Sequence, residues 1–269
     1  MSRAVDVLLE AKDKYDRDGW FQSPELLAKS LIGELRESVE RISLQTRPEV
    51  VYEKGSRIVR AIHGCHAFDE ACARLVRLPA LLDLAHALIG EPVYVYQFKV
   101  NLKQPYAGAA WPWHQDYAFW NREDGMPSDR VVNLAIFLDD TYEGNGPLQV
   151  IPGTHRLGII EPGDERMIRA TGDWRKHVSA DLEHTVPLEY AERLIEERGK
   201  FLLVGASGTL CAFHPSIVHS SSDNLSGNRR ALLLITYNSV NNVPAHPNRP
   251  EFLVGRDTAP VVGLEDGRA

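Results

Sequence analysis

The feature that most constrains the fold is a change of period near the end of the first third of the chain. Val93–Lys103, Val131–Leu138, Leu148–Ile151, Thr209–Phe213 and Ala231–Val240 are short runs rich in Val, Ile, Leu and Tyr. Each is bounded by Gly, Pro, Asn or Asp, the pattern of strands closed by turns. Before them the spacing is helical: Leu26, Leu27, Leu31, Ile32, Leu35, Val39 and Ile42 keep one apolar stripe, with Ser23-Pro24 placed to start a helix. Residues 69–90 read as two short helices split at Pro79 and ended near Gly90. Helices first and strands later predict a mainly β protein with flanking helices and a double-sheet barrel of the jelly-roll or cupin kind.

At 269 residues the chain has no Ser/Gly/Pro-rich linker and no low-complexity run to divide it. A single domain over 1–269 is expected, with a helical part over about 1–90 and a barrel over about 91–262. Residues 160–200 are charged and include a helix, Leu188–Glu197, stopped by Gly199; they read as an insertion over the barrel mouth. A net charge of −7 argues against nucleic acid or an anionic membrane surface as the main partner. Small-molecule ligands fit better. Three cysteines without a CxxC pair do not make a disulfide framework and suggest a reducing cytoplasm. The amino terminus lacks a long apolar core and no stretch approaches a membrane span, so a cytoplasmic protein, monomer or homodimer, is expected.

The chemistry sits in two segments. Trp-Pro-Trp-His-Gln-Asp-Tyr (111–117) carries His114 and Asp116 in a His-x-Asp spacing, which needs one more distant His to make a 2-His-1-carboxylate iron site with open positions for cosubstrate and oxygen. Residues 213–230 supply it, with His219, the hydroxyls of Ser220 and Ser221, and a guanidinium at Arg230. His214 is the rival for third ligand. An arginine fork beside a hydroxyl suits a carboxylate cosubstrate. Arg229 and Arg230 fall on opposite strand faces, so one of the two points inward.

These residues resemble the phytanoyl-CoA dioxygenase superfamily of iron(II)- and 2-oxoglutarate-dependent oxygenases, within it the ectoine hydroxylase and bacterial trans-4-proline hydroxylase type. The resemblance rests on residues 95–101, on Trp-His-Gln-Asp-Tyr with Trp120 and 123–127, on 145–156, on His219 to Arg230, and on 236–240 and 249–253. Arg60–His66 also resembles the proline-hydroxylase type. Two departures stand out: Ser220 replaces the usual Gly after the distal His, and Gly227-Asn228 stands where Pro is common.

The resemblance implies Fe(II) held by His114, Asp116 and His219, and 2-oxoglutarate with its far carboxylate on Arg230 and Ser221. O2 is then the other cosubstrate, and succinate and CO2 are products of a hydroxylation. Asp116 argues for hydroxylation over halogenation, because halogenating relatives carry a small residue there. Gln97 and Asn101, four apart on one strand face, are placed by the resemblance towards substrate and cosubstrate, Asn101 on the cosubstrate side; sheet-edge polar residues are the plain alternative. Trp120 resembles an aromatic that packs on substrate. Trp111 and Trp113 could equally be core. His63 and His66 are expected to hydrogen-bond locally, and His155 and Arg156 receive no role. The implied substrate is a free L-amino acid or similar small zwitterion such as proline or leucine. Ectoine and a carrier-tethered amino acid are alternatives. From another class, a cupin-like binding protein would hold zinc or 2-oxoglutarate without turnover.

Overall fold

The computed structural model describes residues 3–160 and 182–265. Its elements run α1 (Arg3–Asp18), β1 (Trp20–Leu26), α2 (Lys29–Ser43), β2 (Val50–Tyr52), β3 (Val59–His63), α3 (Glu70–Leu75), α4 (Pro79–Ile89) and β4 (Val93–Lys103). They continue with β5 (Trp111–His114), α5 (Asp116–Asp124), β6 (Val131–Phe137), β7 (Leu148–Val150), α6 (Leu188–Arg198), β8 (Phe201–Leu203), β9 (Thr209–Phe213), β10 (His219–Ser221) and β11 (Arg230–Ser239).

Local chemistry explains the helix limits. Pro79 opens α4, where a missing N–H costs nothing, and Gly90 closes it at φ 80°. Asp69 caps α3 by accepting from the Cys72 N–H at 3.0 Å. Ser23-Pro24 does not start a helix, contrary to expectation: both lie inside β1, which pairs with β9 at the edge of a sheet. Proline is tolerated on an edge strand because no ladder partner needs its N–H. The helix begins further on, at Lys29, and buries Ile32, Leu35, Val39 and Ile42 of the expected stripe.

Two antiparallel sheets form the body. The larger has the order β1-β9-β6-β11-β4-β3-β2 and the smaller β5-β10-β7-β8. Alternation along the strands separates two apolar layers. Val132, Leu134, Ile136, Ala231, Leu233 and Ile235 pack with the helices, beside Leu35, Leu75, Leu81 and Ala85. Ala135, Phe137, Leu232, Leu234 and Phe213 pack instead with Leu148, Val150 and Leu203 of the smaller sheet. This is the double-sheet barrel expected from the sequence.

One irregularity matters for the site. Thr236 pairs with Gln97 but Tyr237 pairs with Val95, so Tyr96 is an extra residue on β4. A bulge of this kind reverses the alternation. Tyr94 and Tyr96 therefore pack beside Trp120, while Gln97, Lys99 and Asn101 line a cavity.

Of the proposed insertion, residues 161–181 lie outside the described residues. Leu182, Glu183 and His184 line the cavity, and α6 packs against Ile151, Val218 and Trp113. All three cysteines are buried thiols. No helix among the described residues is long and apolar enough to cross a membrane.

Candidate active site

His114 and His219 meet because β5 and β10 are neighbours in register: the two residues are a directly opposed cross-strand pair. Opposed residues on adjacent strands share a face, and the two rings lie 4.1 Å apart. Asp116 opens α5 just beyond the end of β5, so His-x-Asp spans a strand-to-helix corner rather than one strand. Its oxygens stand 3.7 Å from Nε2 of each histidine.

Each ligand is held from behind. Nδ1 of His114 lies 2.7 Å from the Pro112 carbonyl and Nδ1 of His219 lies 3.0 Å from that of Ile217. Donation from Nδ1–H to those carbonyls leaves the Nε2 lone pairs facing Asp116. The Asn133 amide donates to Asp116 Oδ2 at 2.9 Å, and Thr236 donates to Asn133 Oδ1 at 2.7 Å. Thr236 and Asn133 are themselves opposed across β11 and β6. The chain from Thr236 through Asn133 to Asp116 fixes the carboxylate plane.

Electrostatics favour the forms a metal needs. Burial, then the facing His219, pushes the His114 imidazole down to about 3, and burial lowers His219 as well. Both rings are thus neutral. Burial alone would raise Asp116, but Lys99, the two histidines and the Asn133 bond together hold its carboxyl below the ordinary value. Two neutral imidazoles and one carboxylate, buried and with ligand atoms within 4.8 Å of one another, fit Fe(II). The neighbouring trio Glu123, Glu183 and His184 also groups possible ligands, but His184 is occupied there, with Glu123 at 2.7 Å from Nε2 and Arg122 at 3.0 Å from Nδ1.

On the same cavity wall, Arg230 is fully enclosed at 2 % exposure. Its Nε and one terminal nitrogen donate to the Gly146 carbonyl at 3.1 and 2.7 Å, while the other terminal nitrogen has no partner. The Ser221 hydroxyl is likewise buried and unpartnered. Burial pushes the Arg230 guanidinium down to about 9, with Asp139 opposing and Arg60 adding to the shift. A buried cation with an unused nitrogen and an unused hydroxyl lining the same cavity are what a carboxylate would complete. The donor set therefore fits 2-oxoglutarate. Arg229 points away and forms two bonds to Asp139 at 2.9 and 3.2 Å.

Other expected residues fall as follows. Gln97, Asn101 and Trp111 line the cavity. Trp120 lines it too, its edge against Tyr96 at 5.2 Å, and is otherwise buried. His214 stands apart from the triad, accepting from the Ser216 N–H at 3.1 Å and tilted against the rings of Tyr15 and His155. His155 and Arg156 bind the Asp16 carbonyl at the end of α1, at 3.2 and 2.9 Å. The expected local bonds of His63 and His66 are not made: Nε2 of His63 and Nδ1 of His66 have no partner. His63 lines the cavity, where its edge-of-site strand β3 meets β4, and His66 stacks on Phe98. Asn133 and Thr236 were not among the expected site residues, although Asn133 is the one polar residue of an otherwise apolar strand, a signal visible in the sequence. Lys99 and Arg249, also cavity residues, carried no such mark.

Comparison with known proteins agrees with this geometry. Residues 15–232 match the family described as phytanoyl-CoA dioxygenase. The chain is 59% identical over 265 residues to an L-proline trans-4-hydroxylase of Streptomyces griseoviridis, covering 97% of each protein. It is 33% identical over 252 residues to an ectoine dioxygenase of Bordetella parapertussis, covering 90% of this chain and 80% of that one. The crystal structure of EctD from S. alaskensis with 2-oxoglutarate and 5-hydroxyectoine superimposes with a TM-score of 0.80 at 26% identity, covering 95% of this chain and 86% of that one. With the triad, the arginine and the double-sheet barrel all in place, the chain belongs to the phytanoyl-CoA dioxygenase family of iron(II)- and 2-oxoglutarate-dependent oxygenases.

Proposed function

We propose that this protein hydroxylates free L-proline, at ring carbon 4 and in trans, consuming 2-oxoglutarate and O2. The observation that carries the reading is the 59% identity to an L-proline trans-4-hydroxylase over 97% of both chains. The cavity supports it, being lined by Trp120, Phe119 and Phe213 together with Gln97, Lys99 and Asn101, apolar surface with a few polar groups.

In this reading His114, Asp116 and His219 hold the iron. The bound iron supplies the oxidative decarboxylation of 2-oxoglutarate to succinate and CO2 and the insertion of one oxygen atom into a substrate C–H bond. The chain's own residues bind, orient and shield. Arg230 and Ser221 take the far carboxylate of 2-oxoglutarate, with Asn101 on the same side. Asn133 keeps the Asp116 oxygens aimed at the metal. Trp120 and Gln97 contact the substrate, while Phe213, Leu232 and Leu234 keep water out. The buried thiols suit a reducing cytoplasm, and the protein acts there as a monomer or a homodimer.

The test is a competition. Protein loaded anaerobically with iron receives 2-oxoglutarate, oxygen and a pool of L-proline, L-leucine and ectoine, and the products are separated by mass spectrometry. Hydroxyproline with matching succinate is expected. Hydroxyectoine or hydroxyleucine as the main product would replace the proline assignment.

A further inference from the structure

We propose that His63 and Lys99 form the subsite that holds the carboxylate of the amino-acid substrate; the assignment rests on the amino-acid reading above. The two residues are directly opposed on β3 and β4, and both line the cavity that contains the triad.

His63 is 6 % exposed, and its Nε2 has no hydrogen-bond partner. Leaving a buried ring nitrogen unsatisfied costs about 1–3 kcal/mol, so its retention at a cavity wall points to a ligand that satisfies it. Burial first, then the cations Lys99 and Arg249, pushes its imidazole down to about 3. A neutral ring can present Nε2–H as a donor.

The accounting of charge leads to the same place. Among the described residues, three cations line the cavity: Lys99, Arg230 and Arg249. Arg230 lines the cavity together with the unpartnered Ser221 hydroxyl and belongs to the cosubstrate in the reading above. Arg249 is already neutralised by Asp124, which accepts from Nε at 3.0 Å and from a terminal nitrogen, and it also donates to the Tyr96 hydroxyl at 3.3 Å. Lys99 forms no ion pair or hydrogen bond among the described residues, yet it is close enough to influence Asp116, His114 and His219. A small zwitterion brings one carboxylate that needs a cation. Held between Lys99 Nζ and His63 Nε2–H, that carboxylate would fix one end of the molecule beside the triad and leave its carbon skeleton for the aromatic wall of Phe119 and Trp120.

The experiment compares L-proline with L-prolinamide, which keeps the ring and amine but lacks the negative charge. Binding of each is measured by calorimetry to the anaerobic protein loaded with iron and 2-oxoglutarate, in wild type, K99M, K99R and H63F. Proline affinity should fall roughly 10- to 100-fold in K99M and H63F, the loss of one charge-assisted bond. Prolinamide, whose carbonyl oxygen still accepts from His63, should lose affinity in H63F but keep it in K99M, and K99R should recover most of the loss that K99M causes for proline. Lys99 faces the cavity rather than a packed layer, so K99M carries the test alone if H63F melts at a lower temperature. Unchanged proline affinity in K99M, an equal loss for prolinamide in that variant, or a loss of 2-oxoglutarate binding instead would each overturn the assignment. Wild type that neither binds nor hydroxylates L-proline would overturn the proposed function itself, a result distinct from wild type that turns over proline with variants that bind it normally.

Discussion

Asp116 is the residue on which the site turns, and its orientation depends on a neighbour that touches no ligand. Replacing Asn133 with Leu removes the bond to Oδ2 and leaves the carboxylate free to rotate; iron affinity should fall roughly 10- to 100-fold in a metal titration, the usual cost of losing such a supporting contact. The two adjacent arginines should separate cleanly. R230A should weaken 2-oxoglutarate binding by about 2–5 kcal/mol in calorimetry, whereas R229A, which loses its pairs with Asp139 and Glu40 outside the cavity, should leave it unchanged. Lys103 gives a pH signature. Burial first, then Arg230 and Arg60, pushes its ammonium from 10.5 down to about 6. Between those values the unfolded chain holds the proton that the folded protein sheds. The contribution of this site to stability therefore rises with pH across the window and is lowest below it. Denaturant midpoints measured from pH 6 to 10 should rise more steeply in wild type than in K103M, and parallel profiles would show that the lysine is not desolvated.

At the scale of elements, Arg230 is aimed by a turn as much as by its strand. Gly146 sits at φ 80°, its carbonyl accepts twice from the guanidinium, and a Cβ added there would lie 2.7 Å from both Lys103 Cδ and the Ser222 carbonyl oxygen. G146A should lower the melting temperature, by about 1–3 kcal/mol of backbone strain, and raise the KM for 2-oxoglutarate together; a lower melting temperature with unchanged KM would sever the turn from the cosubstrate site. Long elements were legible in the sequence because their periodicity had room to show. Val93–Lys103 is found at the bounds read from its composition, and α3 and α4 follow the punctuation of Pro79 and Gly90. The strands β2, β8 and β10 have three residues each, too few for alternation to register. The edge strand β1 was hidden by Ser23-Pro24, a helix-start signal that an edge tolerates equally well. Of the site, His114, Asp116, His219, Arg230 and Ser221 were legible as a motif with fixed spacing. His63 and Lys99 were not, because only strand pairing brings them together and the bulge at Tyr96 shifts the inward face by one residue.

On the scale of the whole molecule, charge and cavity are set against each other. The chain carries −7 overall, while the cavity at the triad gathers Lys99, Arg230 and Arg249 around one triad carboxylate. A cationic recess concentrates small anions, as suits a dicarboxylate cosubstrate and an amino acid. The two sheets make this possible: one apolar layer under the helices carries the stability, which frees the inner faces to hold polar groups at the cavity end. The most direct test of that account is the fate of oxygen. Iron-loaded protein given L-proline, 2-oxoglutarate and isotopically heavy O2 should yield hydroxyproline bearing one heavy oxygen atom, one molecule of succinate for each product, and neither product in H219A. Succinate without labelled hydroxyproline, or hydroxyproline formed without 2-oxoglutarate, would contradict it.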